Sequence, residues 1–593
     1  MNEPNISIVG RHIGEIFFQR AAELGDRTFV KLQKGDRFEE ISWREFAAIV
    51  QKVLLGLVTL GLMPGDAVAI IGENSLQWLA ADLATLGGGF TNVVVAPVLS
   101  DLMFVKVLGH SACRAAFVQD VTGIGRLLNL QGQLPGLSQI IVMEAAGETL
   151  PGALSFTQLL ERGASVNAAR LDSILQSVHP NDLATIMYTS GSTGEPKGVM
   201  RTQDNLLANI TNGGAITVSA PEELTVNVLS LNHLYGRFGF LKSAVTGRTT
   251  AIVEAAETKI ELKVIERLAP TALSVVPRVM EKLWDDMLGH GEYDVLWQEL
   301  ERLDEKKSNA KLNDAEAGRF DELRALLKAH VRQALGGRIK YISYAGAAMP
   351  PRIMRFFELI GIPLIGSYGS TECGGVTLCG IGENRPGNLG KPFANVGVRI
   401  AADGELLVRG PTVSPGYFKN PEATNEAFDD EGWFYTGDLG AIEADGSLRI
   451  TGRKKDVFNC SDGSNIYPGF IELQLENEPF IRQAVLLGDR WPFIAALVVP
   501  NRQKIAESLN LDVAELTARD VEAALWRQIA RVNGRLEVYE QIRKIAVLGE
   551  DFPVEVRSIN QFQKVKVDRK MVAERYGQMI DAIYEVAPSG AGQ

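Results

Sequence analysis

The chain reads as a layered α/β protein whose large N-terminal body carries a β-rich lobe and is followed by a smaller mixed domain. Short apolar runs bounded by glycine, such as Ala67-Val68-Ala69-Ile70-Ile71-Gly72 and Val93-Val94-Val95-Ala96, alternate with amphipathic helical stretches. That alternation predicts strands and helices in layers. Over residues 396–450 the rhythm changes to short alternating segments between Gly-rich turns, the pattern of β-hairpins. A basic, turn-like stretch, Gly452-Arg453-Lys454-Lys455-Asp456, then precedes a second mixture of strands and helices. The domain boundary is placed there, giving residues 1–453 and 454–593.

With 593 residues the chain is several times an average domain of about 100–200 residues, ample for a sizeable core. It is 46% apolar, 22% charged and 7% aromatic, as in ordinary globular enzymes. The net charge of −12 disfavours charge-driven binding to nucleic acid or anionic lipid and points to small-molecule partners. Cys113, Cys373, Cys379 and Cys460 form no CxxC pair and the six histidines no HExxH, so neither a disulfide framework nor a zinc site is indicated. A reducing cytoplasm is the expected compartment.

From the start of the chain, Met1-Asn2-Glu3-Pro4 lacks the basic start and apolar run of a secretory signal. Residues 43–58 have helical amphipathic spacing. Residues 83–100 form the most apolar stretch, but Gly87-Gly88-Gly89, Asn92 and Pro97 interrupt it, so it reads as a buried helix end running into a strand rather than a membrane span of about 20 residues. Residues 281–335 are charge-rich with helical spacing and are expected to be a surface helical insertion with a solvated face. Strands are expected within residues 404–410 and 445–450, and residues 588–593 look disordered.

The strongest chemical signal follows the apolar strand Ala184-Thr185-Ile186-Met187. It is Tyr188-Thr189-Ser190-Gly191-Ser192-Thr193-Gly194-Glu195-Pro196-Lys197-Gly198. Glycines let backbone N–H groups converge, hydroxyls add donors and a lysine adds a point charge, which together make a cradle for phosphate oxygens. It is not a GxxxxGK[ST] loop, because Pro196 stands five residues after Gly191.

This loop resembles the signature of the acyl-adenylate-forming superfamily of acyl-CoA synthetases, peptide-synthetase adenylation domains and luciferases. Four further motifs match in the family's order: Gly346-Ala347-Ala348-Met349-Pro350, Ser367-Tyr368-Gly369-Ser370-Thr371-Glu372, Tyr435-Thr436-Gly437-Asp438, and Gly452-Arg453-Lys454-Lys455-Asp456. The resemblance spans about residues 15–569. Val276-Pro277-Arg278-Val279-Met280-Glu281-Lys282-Leu283, the helical stretch after it, and Tyr539-Glu540-Gln541-Ile542 look like the long-chain acyl-CoA synthetase branch.

What the resemblance implies is specific. Thr189, Ser190, Gly191, Ser192, Thr193, Gly194 and Lys197 bind ATP phosphates, with Gly346, Ala347, Ala348 and Gly369 lining the AMP side. Glu372 holds Mg2+, Thr371 donates to a phosphate oxygen, and the Tyr368 ring lies against adenine. Asp438 and Arg453 reach the ribose, a carboxylate being able to accept from two hydroxyls at once. His233, in Leu231-Asn232-His233-Leu234-Tyr235-Gly236-Arg237, faces the carboxylate and pyrophosphate. Lys564 is the catalytic lysine, with Lys566 a rival because Asn560-Gln561-Phe562 replaces the family's Thr-Pro-Thr. Lys455 is the hinge and Gly463 belongs to the loop facing coenzyme A, where Ser464 replaces a charged residue; Gln203 stands where many relatives have histidine.

The implied activity is ATP-dependent, AMP-forming ligation of a carboxylic acid, a medium- or long-chain fatty acid first, to coenzyme A, with a mobile α+β cap. Two other readings stay open. One is an acyl-AMP ligase serving a carrier protein or another nucleophile; the other is a non-catalytic nucleotide- or acyl-binding protein. Acid identity, oligomeric state and peripheral membrane contact are not readable from the sequence.

Overall fold

The structure, a computed structural model, describes residues 10–145, 151–190, 195–212, 223–253, 260–289, 291–309, 311–383, 385, 387–460, 465–552, 554–555, 566–567 and 569–585. The sequence predictions for residues 1–4 and 588–593 fall outside these.

Two large sheets form the body. The first runs in the spatial order 154–155, 139–142, 115–118, 67–71, 91–95, 183–190, 196–202; it is parallel apart from its last pair. Its strands read as unbroken apolar runs because both faces are covered. In Ala67–Ile71 every residue is buried; Val68 and Ile70 join one core while Ala67, Ala69 and Ile71 join another. That split is the two-residue period of a strand.

Helices sandwiched between the two sheets fill the first core. Helix Trp43–Thr59 opens on a capping box made by Ser42 and Glu45 and buries Trp43, Phe46, Val50, Val53, Leu54 and Leu57 along one stripe. Trp43 stacks on Phe29 of strand Thr28–Lys34 with ring centroids 3.8 Å apart. Each such fully buried side chain contributes about 1.5–3 kcal/mol. Residues 83–100 are, as expected, the end of helix Leu76–Gly87 and strand Thr91–Val95.

The second sheet runs 391–392, 374–378, 364–370, 341–344, 272–275, 224–227, 249–252, 28–34, 37–42. Its five central strands, Leu364–Ser370 through Thr249–Ile252, are parallel. Residues 277–334 form the helices Pro277–Leu288, Glu292–Ser308 and Asp314–Ala334. They are helical as predicted, but their inner face is not solvated. Trp297, Leu300, Leu303, Phe320, Leu323, Leu327 and Val331 are buried in the core beneath this sheet. The abundant charges conceal that apolar stripe in the sequence.

A four-stranded antiparallel sheet, Gly397–Ile400, Glu405–Arg409, Phe434–Ile442 and Leu448–Arg453, forms the β-rich lobe. The basic turn follows as a single 3₁₀ turn, Lys454–Asp456. The smaller C-terminal domain is built on strands Ile481–Leu487, Ile494–Pro500 and Ile542–Val547, with one core on each face. Among the described residues no helix is long and apolar enough to cross a membrane.

Candidate active site

In open parallel sheets ligands bind beyond the carboxyl ends of the strands. Four of the predicted motifs stand there. Residues 231–237 follow strand Leu224–Asn227, Gly346-Ala347-Ala348 follows Tyr341–Tyr344, Tyr368 to Glu372 finishes Leu364–Ser370, and the phosphate loop leaves Leu183–Ser190. Gly346, Ala347 and Ala348 are exposed, although the strand before them is largely buried.

The residues expected at the ribose form one clamp. Tyr368 Oη donates to Asp438 Oδ2 at 2.6 Å, and Arg453 Nε lies 2.8 Å from Asp438 Oδ1. Antiparallel pairing sets Asp438 directly opposite Arg453, so the sheet register positions both. The strand Phe434–Ile442 breaks register with its neighbour around Gly437, whose φ of +71° suits a residue without Cβ. The Gly437 N–H donates to Glu405 Oε1 at 2.9 Å, and Asp438 N–H donates to Thr436 Oγ1 at 3.1 Å. Each Asp438 oxygen keeps a second lone pair, so both remain able to accept from a diol. Burial first, and the Asp438 charge second, push the Tyr368 hydroxyl well above its usual range, which keeps it a donor.

Two of the residues expected at the phosphates, Lys197 and Glu372, meet at Tyr417. Lys197 Nζ lies 5.1 Å over the Tyr417 ring, and Tyr417 Oη donates to Glu372 Oε1 at 3.3 Å. Thr189 pairs with Lys197 across the hairpin of strands Leu183–Ser190 and Pro196–Thr202. Thr371 and Glu372 occupy the turn between Leu364–Ser370 and Gly374–Leu378, where Ser370 Oγ accepts the N–H groups of Glu372 and Cys373 at 3.2 Å each. A Cβ at Gly369 would come within 2.1 Å of the Gly374 carbonyl oxygen, so the tight hairpin requires glycine there. Glu372 and Thr371 are half-buried and oxygen-bearing, a donor set that suits a hard divalent cation.

His233 is the residue preceding helix Leu234–Thr246, half-buried, with no side-chain hydrogen bond to the helix end. The helix itself is locked from behind. Arg237 donates from Nε to Asp82 Oδ2 at 3.0 Å, from Nη2 to Asp82 Oδ1 at 2.5 Å and from Nη1 to Thr185 Oγ1 at 2.9 Å. Asn92 Nδ2 adds a bond to Asp82 Oδ1 at 2.8 Å, and both charged side chains are fully buried. This network ties the His233 helix to the strand that leads into the phosphate loop.

Lys455 lies in the 3₁₀ turn, directly after Lys454, whose Nζ pairs with Glu405 Oε2 at 2.8 Å and Asp403 Oδ2 at 2.7 Å. Gly191, Ser192, Thr193, Gly194, Gly463 and Lys564 lie outside the described residues, as does the side chain of Ser190. Lys566 is in the short strand Lys566–Val567, paired with Val554–Glu555. Sequence reasoning missed Tyr417, Glu405, Asp82 and Arg201. The signal for Asp82 was present, a lone charge in an apolar segment; Arg201, set between Lys197 and Asp204, carried no such signal.

Residues 17–418 match the family model for AMP-binding enzymes, and residues 455–587 match that for the AMP-binding enzyme C-terminal domain. The chain belongs to the AMP-binding enzyme family. Within the family it is 32% identical to the long-chain-fatty-acid–CoA ligase FadD15 of Mycobacterium tuberculosis over 602 residues, covering 97% of this chain and 98% of that protein. It is 28% identical to the long-chain-fatty-acid–CoA ligase ACSBG1 of Mus musculus, covering 97% and 85%. The family's fold is shared with the anthranilate CoA ligase AuaEII solved with anthranoyl-AMP, at a TM-score of 0.74, 19% identity and coverage of 98% and 100%. It is shared too with the A domain of a carboxylic acid reductase from Segniliparus rugosus in complex with AMP, at 0.71, 20% identity and coverage of 97% and 94%.

Proposed function

We propose that the chain is an AMP-forming acid–thiol ligase that activates a medium- or long-chain fatty acid as its acyl-adenylate and transfers the acyl group to coenzyme A. One observation carries this reading. A ribose clamp, Tyr368–Asp438–Arg453, and a phosphate-side group, Lys197–Tyr417–Glu372, are joined through Tyr368 at one strand end and Glu372 in the turn after it, as one nucleotide binding in an extended pose requires. The names of the full-length relatives support the acid and the acceptor.

In this reading Asp438 and Arg453 hold the ribose, and Lys197, Thr189, Ser190, Thr371 and the 191–194 loop hold the phosphates. Glu372 would hold Mg2+, which when bound neutralises phosphate charge. Lys564 positions the substrate carboxylate as one of its oxygens attacks the α-phosphorus and pyrophosphate leaves. The thiolate of coenzyme A then attacks the acyl carbon, AMP leaves, and the thioester forms. Lysine and arginine act here by charge and position, not by a covalent intermediate. We place the domain boundary between Arg453 and Lys454, with rotation about Lys455 bringing the Gly463 loop to the thiol. A cytoplasmic enzyme acting on small molecules is the matching setting.

The test is carboxylate-dependent ATP–pyrophosphate exchange over a panel of fatty and aryl acids, with Lys564→Ala and Lys566→Ala in parallel, followed by coenzyme A and mass detection. Exchange lost in Lys564→Ala, with acyl-CoA from wild type, is expected. Exchange without acyl-CoA points to a carrier-protein acceptor, and no exchange with any acid overturns the ligase reading.

A further inference from the structure

Arg201 is a fully buried cation on the phosphate side. It lies in strand Pro196–Thr202, just after the phosphate loop, and is 0% exposed. Its guanidinium makes no ion pair among the described residues. Nη2 donates to the backbone carbonyl of Thr371 at 2.5 Å, Nη1 donates to the backbone carbonyl of Thr412, and Nε is buried without a partner. Burial lowers its pKa to about 10, with the nearby Glu372 charge opposing, so it stays protonated at neutral pH.

A tie between two carbonyls does not require a full positive charge, and burying one is costly. The position of that charge is informative. Its two carbonyls belong to the turn carrying Thr371 and Glu372 and to residues 412–418, which supply Tyr417. The same junction is stitched by neighbouring bonds: Ser414 N–H to the Glu372 carbonyl at 2.8 Å, Ser414 Oγ to the Met200 carbonyl at 2.7 Å, and Phe418 N–H to the Gly198 carbonyl at 2.8 Å. Three segments converge on one guanidinium: the lysine strand, the glutamate turn and the tyrosine segment.

We propose that Arg201 is a positioning residue that fixes the Thr371–Glu372 turn relative to Lys197, setting the Glu372 carboxylate for the divalent cation that accompanies ATP. This rests on the assignment of Glu372 above. Arg201 touches no substrate; it acts through the backbone of Thr371.

The experiment is equilibrium binding of a fluorescent ATP analogue without acid, so that no turnover occurs, titrated with Mg2+ and separately in EDTA. Wild type, Arg201→Met, Arg201→Lys and Glu372→Gln are compared. For Arg201→Met the half-effect concentration of Mg2+ should rise about tenfold while affinity in EDTA, set by the ribose clamp, is unchanged, and Arg201→Lys should return to within about threefold of wild type. A folded Arg201→Met with wild-type Mg2+ dependence, or with equal losses with and without Mg2+, overturns the proposal. If Arg201→Met does not fold, Arg201→Gln takes its place under the same criteria; if neither neutral variant folds, an Arg201→Lys variant whose affinity losses are equal with and without Mg2+ overturns it. Glu372→Gln separates the two ideas. Its retention of the Mg2+ effect would overturn the cation assignment itself, whereas its loss with an unaltered Arg201→Met overturns only the role of Arg201.

Discussion

Removing either partner of the Asp82–Arg237 pair should cost far more than removing both. Asp82→Ala leaves a guanidinium with 0% exposure bonded only to Thr185 Oγ1, and leaves Asn92 Nδ2 without its 2.8 Å acceptor. An uncompensated buried charge of this kind costs about 3–5 kcal/mol. Arg237→Met strands the carboxylate in the same way and should cost a similar amount. The double variant Asp82→Leu/Arg237→Met removes the charges together and fills the space with apolar atoms, so it should fall within about 1–2 kcal/mol of wild type. The coupling is then on the order of 3 kcal/mol or more, well above the few tenths expected of independent sites. Urea unfolding followed by tryptophan fluorescence measures it, with the slopes compared to confirm that stability alone has changed. A single-variant cost below about 1 kcal/mol, or a double variant that costs the sum of the singles, would refute the argument. Because the pair also anchors the helix behind His233, folded Arg237→Met should lose pyrophosphate exchange with little change in nucleotide affinity.

Three further outcomes are expected. Asp438→Asn should raise the KM for ATP by about 10- to 150-fold, the value of one or two charge-assisted bonds of roughly 1.5–3 kcal/mol, and Tyr368→Phe by about fivefold, in steady-state exchange assays; equal KM values would remove the ribose clamp. Gly369→Ala should abolish the tight hairpin, with exchange activity falling at least tenfold while the C-terminal domain still unfolds normally, because its Cβ meets a backbone oxygen at 2.1 Å that cannot move aside. Burial, then Glu472 and Glu281, push the Glu476 carboxyl up to about 7, the Ala484 N–H opposing. The folded state therefore holds a proton that the unfolded state releases above about pH 4.5, so C-terminal stability should fall between about pH 4.5 and 7 and level off beyond, a total on the order of 2–3 kcal/mol. Glu476→Gln should flatten that slope in pH-dependent thermal unfolding, and an unchanged slope would show that another group titrates.

Much of the fold was legible before the structure: the hairpin rhythm of residues 396–450 is the four-stranded lobe. The 188–198 loop carries an expectation of phosphate chemistry, because glycine, hydroxyl and lysine have few other reasons to cluster after an apolar strand. What sequence could not supply was convergence. Tyr417 lies in Ser414-Pro415-Gly416-Tyr417-Phe418, which reads as an ordinary turn, and only the fold brings its hydroxyl to Glu372. Asp82 was readable as a lone charge in an apolar segment, but its partner lies 155 residues away in the chain, and the carbonyls that hold Arg201 lie 170 and 211 residues away. The helices of residues 277–334 were misread on one face because charges outnumber the apolar residues at helical spacing that bind them to the core.

The two cations at the end of the lobe have a consequence for recombining this protein with its relatives. Arg453 and Lys454 are contributed by the strand end and the turn, yet the carboxylates they answer, Asp438, Asp403 and Glu405, all belong to the preceding lobe. A chimaera joined before Arg453 would import two cations from one parent to meet carboxylates from another, whereas a junction after Lys454 inherits every matched pair whole. The splice point must therefore fall after Lys454, and a crossover library should yield active hybrids on that side of it.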